Sequence, residues 1–153
     1  MKAEEIMIGD WVHWQSNQID PHQWFNGRVT SIKEYQLLGK SEYDIYTDVS
    51  GSDDFSPEEL EPIMLTRAVL DRTFDGEDAK IHGRNYHLED AHGNEYEIHL
   101  SYYDRCYFSK LIEDSEFGYK DMELLLDFKY VHELQHILRI FQLPYKLKIE
   151  ETD

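Results

Sequence analysis

The chain has 153 residues, 41% of them apolar and 14% aromatic, enough to bury a core in one domain or in two small subdomains and too many for a disordered acidic tail. With 15 Lys and Arg against 32 Asp and Glu, the formal net charge is −17, which repels phosphate backbones and anionic membranes, so direct nucleic-acid or membrane-surface binding is not expected. Cys106 is the single cysteine, which excludes an intrachain disulfide; Met1-Lys2-Ala3-Glu4-Glu5 lacks the basic and apolar regions of a signal peptide; and the longest aliphatic run, Leu124-Leu125-Leu126, cannot span a bilayer, so the expected compartment is the cytoplasm.

Ile8-Gly9-Asp10-Trp11-Val12-His13-Trp14 reads as a first strand entered through a glycine, followed by a polar loop over 15–23. Trp24-Phe25-Asn26-Gly27-Arg28-Val29 carries Asn-Gly, the signal of a type I′ hairpin, with 29–35 as the outgoing strand. Gly39 marks another turn, and 43–49 reads as a strand with alternating carboxylates. Short strands joined by tight turns predict a small SH3-like β-barrel unit over residues 1–64. Trp11, Trp14 and Trp24 are then either core residues, the commoner fate in so small a barrel, or the walls of a peptide-recognition groove.

Between Lys40 and Arg67 stand Glu42, Asp44, Asp48, Asp53, Asp54, Glu58, Glu59 and Glu61, with no basic residue among them. Asp53-Asp54 near Gly51 lacks the ligand order of an EF-hand, and the stretch reads as a solvated loop. Its charge serves solubility or, more sharply, imitates nucleic acid in order to occupy a basic cleft of a host protein. Thr66 is the predicted N-cap of a short helix over 67–73, with Leu65 and Leu70 at hydrophobic-staple positions and Asp75-Gly76 closing it.

Strands are expected again over 81–88 and 95–100, flanking a turn at 90–94, with 105–112 as a third antiparallel member. Tyr96, Ile98 and Leu100 alternate with Glu97 and His99, which predicts one buried and one wet face. His82, His87, His92 and His99 lack regular ligand spacing and read as residues of that wet face. Cys106 as a nucleophile would need His99 beside it, whereas packing beside Tyr107 and Phe108 is the plainer reading. No Gly-rich phosphate loop, internal repeat or nucleophile elbow is present in the sequence.

The strongest periodic signal covers 129–142, where Val131, Leu134, Ile137, Leu138 and Phe141 fall on one helical stripe. Asp127 is the predicted N-cap, and Pro144 stops the helix near Gln142. The helix contains His132-Glu133-Leu134-Gln135-His136, a zinc-protease string. On the wheel His132 and His136 lie opposite the stripe, towards water. A catalytic zinc also needs a third ligand and an open position. Arg139 and Gln142 stand where a metzincin has Gly and His, and only Glu150, Glu151 and Asp153 follow as candidate ligands. The string is read as a solvated face, with no catalytic, metal-binding or cofactor-binding residue assigned.

The blocks Ile8-Gly9-Asp10-Trp11-Val12, Leu60-Glu61-Pro62-Ile63-Met64-Leu65-Thr66 and Tyr130-Val131-His132-Glu133-Leu134-Gln135 resemble, in that order, a family of small uncharacterised proteins common in gut bacteria of the Bacteroides type and in their phages and prophages. The C-terminal block of that family reads Tyr-Val-His-Gln-Leu-Gln-Asn, so Glu133 and His136 are departures from it that complete the zinc-like string. The resemblance implies a phage or mobile-element setting and no residue-level site.

The expected architecture is α+β: the SH3-like unit over 1–64, then residues 65–153 with a short helix, an antiparallel β-meander and one packed C-terminal helix. The expected function is a non-catalytic cytoplasmic protein-interaction module with a protein partner and no cofactor. The alternatives are an acidic nucleic-acid mimic and, last, a zinc-dependent hydrolase using His132, Glu133 and His136.

Overall fold

A computed structural model describes residues 1–2, 5–15, 24–49, 54–75, 80–103, 105–113 and 120–150. The protein is α+β, and the described residues form two antiparallel five-stranded sheets and two α-helices. The chain divides into two compact units, Met1–Ile63 joined by Glu150, and Met64–Ile149. Among the described residues no helix is long and apolar enough to cross a membrane.

The N-terminal sheet comprises β1 (Trp11–Gln15), β2 (Trp24–Leu37), β3 (Lys40–Thr47), β4 (Asp54–Phe55) and β5 (Glu61–Pro62), in the order β4-β3-β2-β1-β5. Alternation along β1 turns Val12 and Trp14 into a core shared with Ile6, Val29, Ile45 and Leu60, while Trp11 and His13 take the other face. The long β2 serves two partners. Its first residues pair with β1, and after a register shift between Val29 and Ser31 the remainder pairs with β3. β4 and β5 end as the sheet edges, and among the described residues no pairing between them closes the barrel expected from the sequence.

The Asn26-Gly27 hairpin is a misreading. Both residues lie inside β2, opposite His13 and Val12 of β1. Gly27 is needed for close approach instead: a Cβ there would sit 2.9 Å from Cη2 of Trp14 and 3.1 Å from Cζ3. The two-residue turn falls at Leu38-Gly39, whose φ values of 52° and 78° both lie in the left-handed region that a type I′ turn requires. Most of the predicted 15–23 loop, and Asp53, lie outside the described residues.

The second unit opens with α1 (Arg67–Phe74), capped by Thr66, whose Oγ1 accepts from the Val69 amide at 3.3 Å; Leu65 and Leu70 are both buried beside it. A meander follows: β6 (Lys80–His82), β7 (Asn85–Glu89), β8 (Glu95–Leu100), β9 (Cys106–Glu113) and β10 (Lys120–Phe128), each paired with its sequence neighbour. The single strand expected over 81–88 is a hairpin, because Gly83, at φ 66°, turns the chain within it. β10 was not anticipated. A bulge between Leu124 and Leu126 breaks its alternation, so the aliphatic run carried no strand period.

The row Tyr86, Ile98 and Phe108 marks the buried face of this sheet. Phe74 at the end of α1 meets Tyr86 at 5.6 Å between ring centroids, and the Tyr86 hydroxyl donates to Oδ1 of Asp71 at 2.6 Å. Burial and that acceptor push the Tyr86 phenol far above its ordinary range. α2 (Val131–Ile140) lays Val131, Leu134, Ile137 and Leu138 into the same core, and Phe141 at its C-cap packs edge-on against Tyr96 and Phe108. Each such side chain, fully buried, stabilises the fold by about 1.5–3 kcal/mol.

Candidate functional site

The zinc-like string on α2 is occupied by folding tasks. Tyr130 is the N-cap, and Oε2 of Glu133 accepts from the backbone amides of Lys129 at 2.8 Å and Tyr130 at 2.9 Å. This carboxylate satisfies helix-start donors and complements the positive end of the helix dipole. Asp127, expected as the cap, lies in β10 and pairs with Arg105 at 2.8 Å. The solvated reading of His132 is also overturned: its ring is 6% exposed and stacks on Tyr130 at 5.8 Å with a 14° tilt. Its position opposite the apolar stripe does not leave it wet: Tyr130, just before the helix, stacks on one face of the ring. His136 stands edge-on to it at 5.8 Å. Among the described residues, no group of three or more His, Cys, Asp or Glu side chains is arranged to hold a metal ion.

Two of the meander histidines, His87 and His99, have polar side-chain partners. Nε2 of His87 lies 3.3 Å from Oε2 of Glu97, and Glu97, expected on the wet face, is 6% exposed. Nδ1 of His99 is 2.6 Å from Oδ1 of Asn85. Cys106 and His99 do not meet as a catalytic pair: Cys106 is opposite Leu100 on the buried face, and His99 is opposite Tyr107 on the other.

Among the described residues the N-terminal unit has a pocket of about 170 Å³ lined by Trp14, Gln15, Trp24, Phe55, Glu59 and Glu61. Local sequence explains its walls. Ser56-Pro57-Glu58-Glu59 forms a tight helical turn with Pro at its first position, and Oε2 of Glu59 accepts from the Ser56 amide at 2.8 Å and the Ser56 hydroxyl at 3.0 Å. The turn delivers Glu61 to β5, where it pairs opposite His13. The Trp14 ring, 6% exposed, forms one wall and lies 4.9 Å from the Phe55 centroid. Trp24, 43% exposed, leans on the His13 ring at 4.6 Å.

His13 Nε2 stands 3.9 Å from Oε2 of Glu61. Burial of the imidazole holds its pKa below the ordinary histidine value, against the opposing pull of the Glu61 charge. At neutral pH the His13 ring is therefore uncharged.

The three tryptophans thus divide. Trp14 is core and pocket wall together, Trp24 is the exposed wall, and Trp11 takes no part, its ring covered by the Arg28 guanidinium at 5.6 Å. Sequence reasoning missed Phe55, Glu59 and Glu61 as members of one site, and His13 as the ring behind Trp24 and Glu61. The Ser-Pro-Glu-Glu capping signal at 56–59 was available to find the turn; the meeting of β1 with β5 had no local signal. Comparison of the chain with protein-family models, curated proteins and solved structures finds no match.

Proposed function

We propose that the protein is a non-catalytic, cytoplasmic protein-interaction module whose N-terminal sheet, of SH3-like type, receives one projecting side chain of a partner between Trp14, Trp24 and Phe55. The observation that carries this reading is the half-open Trp24 indole on a pocket of about 170 Å³. Pockets for drug-sized ligands run to about 300–1,000 Å³, so this one suits a single side chain rather than a nucleotide or a prosthetic group. Tryptophan is also among the residue types that dominate interface energies.

The test is capture from a host lysate by the tagged chain and by Trp24→Ala, with nuclease present. The expected result is a defined protein held by the wild-type chain and weakened at least about tenfold by the substitution, the scale of an interface hot spot. A partner retained equally by both would overturn the reading. Capture that ignores Trp24, collapses with salt and is competed by DNA or RNA would favour mimicry of nucleic acid through the carboxylates between Glu42 and Glu61 instead.

A further inference from the structure

We propose that the pocket takes a cationic side chain with N–H donors, an arginine or lysine of the partner, held against the Trp24 indole by the carboxylate of Glu61, with Glu59 adding negative charge to the wall; this deepens the interaction reading and rests on it. The described lining combines three aromatic rings and Gln15 with two carboxylates, and no basic group is among those residues. Aromatic faces carry negative quadrupole charge and attract a cation placed over them. An anion would be repelled by both glutamates, and an apolar side chain would strip water from them without replacing its hydrogen bonds.

The two carboxylates are prepared differently. Glu59 is held in place by the Ser56 amide and hydroxyl, whereas the Glu61 side chain is 60% exposed at the mouth. The His13 ring leans on Trp24 at a 32° tilt, with its Nε2 3.9 Å from Oε2 of Glu61. Elsewhere the protein supplies its own cations to aromatic faces: Arg28 to Trp11 at 5.6 Å, Lys33 to Tyr46 at 4.7 Å and Arg84 to Tyr102 at 4.1 Å. The described lining of this pocket contains no such cation, so the complementary charge comes from the ligand. Because the open Glu61 carboxylate accepts hydrogen bonds, a guanidinium or a free ammonium fits it better than a quaternary ammonium, which has no N–H to give.

The test uses the full chain labelled with nitrogen-15, following its tryptophan indole resonances during titration with four capped amino acids: arginine, lysine, trimethyl-lysine and citrulline, the neutral isostere of arginine. The expected result is a saturable, millimolar shift of the Trp14 and Trp24 signals with arginine or lysine, none with citrulline, and little change at Trp11. Glu61→Gln should weaken the cation about threefold to tenfold, the range for a partly exposed cation–π and carboxylate site. Equal response to citrulline, preference for trimethyl-lysine, or indifference to Glu61→Gln would each overturn the assignment. A partner captured through Trp24 by a protein that ignores arginine and lysine would sink the cation and leave the interaction reading standing. A cation-responsive pocket with no Trp24-dependent partner would support the cation and sink the protein partner.

Discussion

Two histidine–glutamate pairs in this protein invite comparison. His132 and Glu133 are adjacent on α2, inside a string that spells a zinc site, yet the carboxylate is bonded to the amides of Lys129 and Tyr130 and the imidazole is packed under Tyr130. His13 and Glu61 are far apart in sequence and belong to no motif, yet strand pairing brings them together on an aromatic pocket, with the Glu61 side chain open to solvent. A side chain's chemistry depends on what its polar atoms already hold. The first glutamate is committed to the helix, and the second is available to a ligand.

The sharpest way to break this comparison is to remove side chains from α2. Leu134→Ala should cost about 2–5 kcal/mol in urea melts, and His132→Ala about 1–3 kcal/mol now that its ring is buried. A His132 loss below about 0.5 kcal/mol would restore the solvated reading of that face. Next in size, Glu133→Ala should destabilise by about 1–3 kcal/mol, the scale of hydrogen bonds to a charged acceptor, while Glu61→Ala changes stability by less than about 0.5 kcal/mol. Equal effects from the two glutamates would erase the distinction.

The smallest expected effect is one of pH. The folded His13 pKa lies below its unfolded value, so the unfolded state takes up the proton first. The His13 contribution to stability is complete above the ordinary histidine pKa of about 6.5 and is lost as pH falls from there through the depressed folded value. Protonation would act on the ring between Trp24 and Glu61, the groups that face it from β2 and β5. Urea midpoints compared between the wild-type chain and His13→Gln should diverge in that window; parallel curves would mean that the ring is not desolvated.

What was legible in the sequence was periodic or local. The stripe Val131, Leu134, Ile137, Leu138 placed α2 because helical spacing survives without knowledge of partners. Thr66 placed the start of α1 for the same reason, since a cap reaches only a few residues ahead. Asn26-Gly27 misled because the same dipeptide serves a turn or a close approach, and the deciding atom is the Trp14 ring on the neighbouring strand. β10 was hidden by its bulge, which sets three leucines in a row where a strand would alternate. The pocket joins Trp14 and Trp24 to Phe55, Glu59 and Glu61 through strand register, which no single stretch of sequence encodes.

The outermost strand of the second sheet also bears on how the protein behaves at high concentration. β10 exposes Met122, Leu124 and Leu126, an apolar edge of the kind that templates edge-to-edge aggregation. Asp121, Glu123 and Asp127, also exposed, interrupt that edge and act as gatekeepers, because a second copy approaching it brings the same negative charges. The protection is electrostatic, and dissolved ions screen it over a distance that shrinks to about 3 Å at 1 M salt. High ionic strength, which hides the gatekeepers and leaves the leucines in place, is therefore the condition under which this otherwise highly charged protein should first come out of solution.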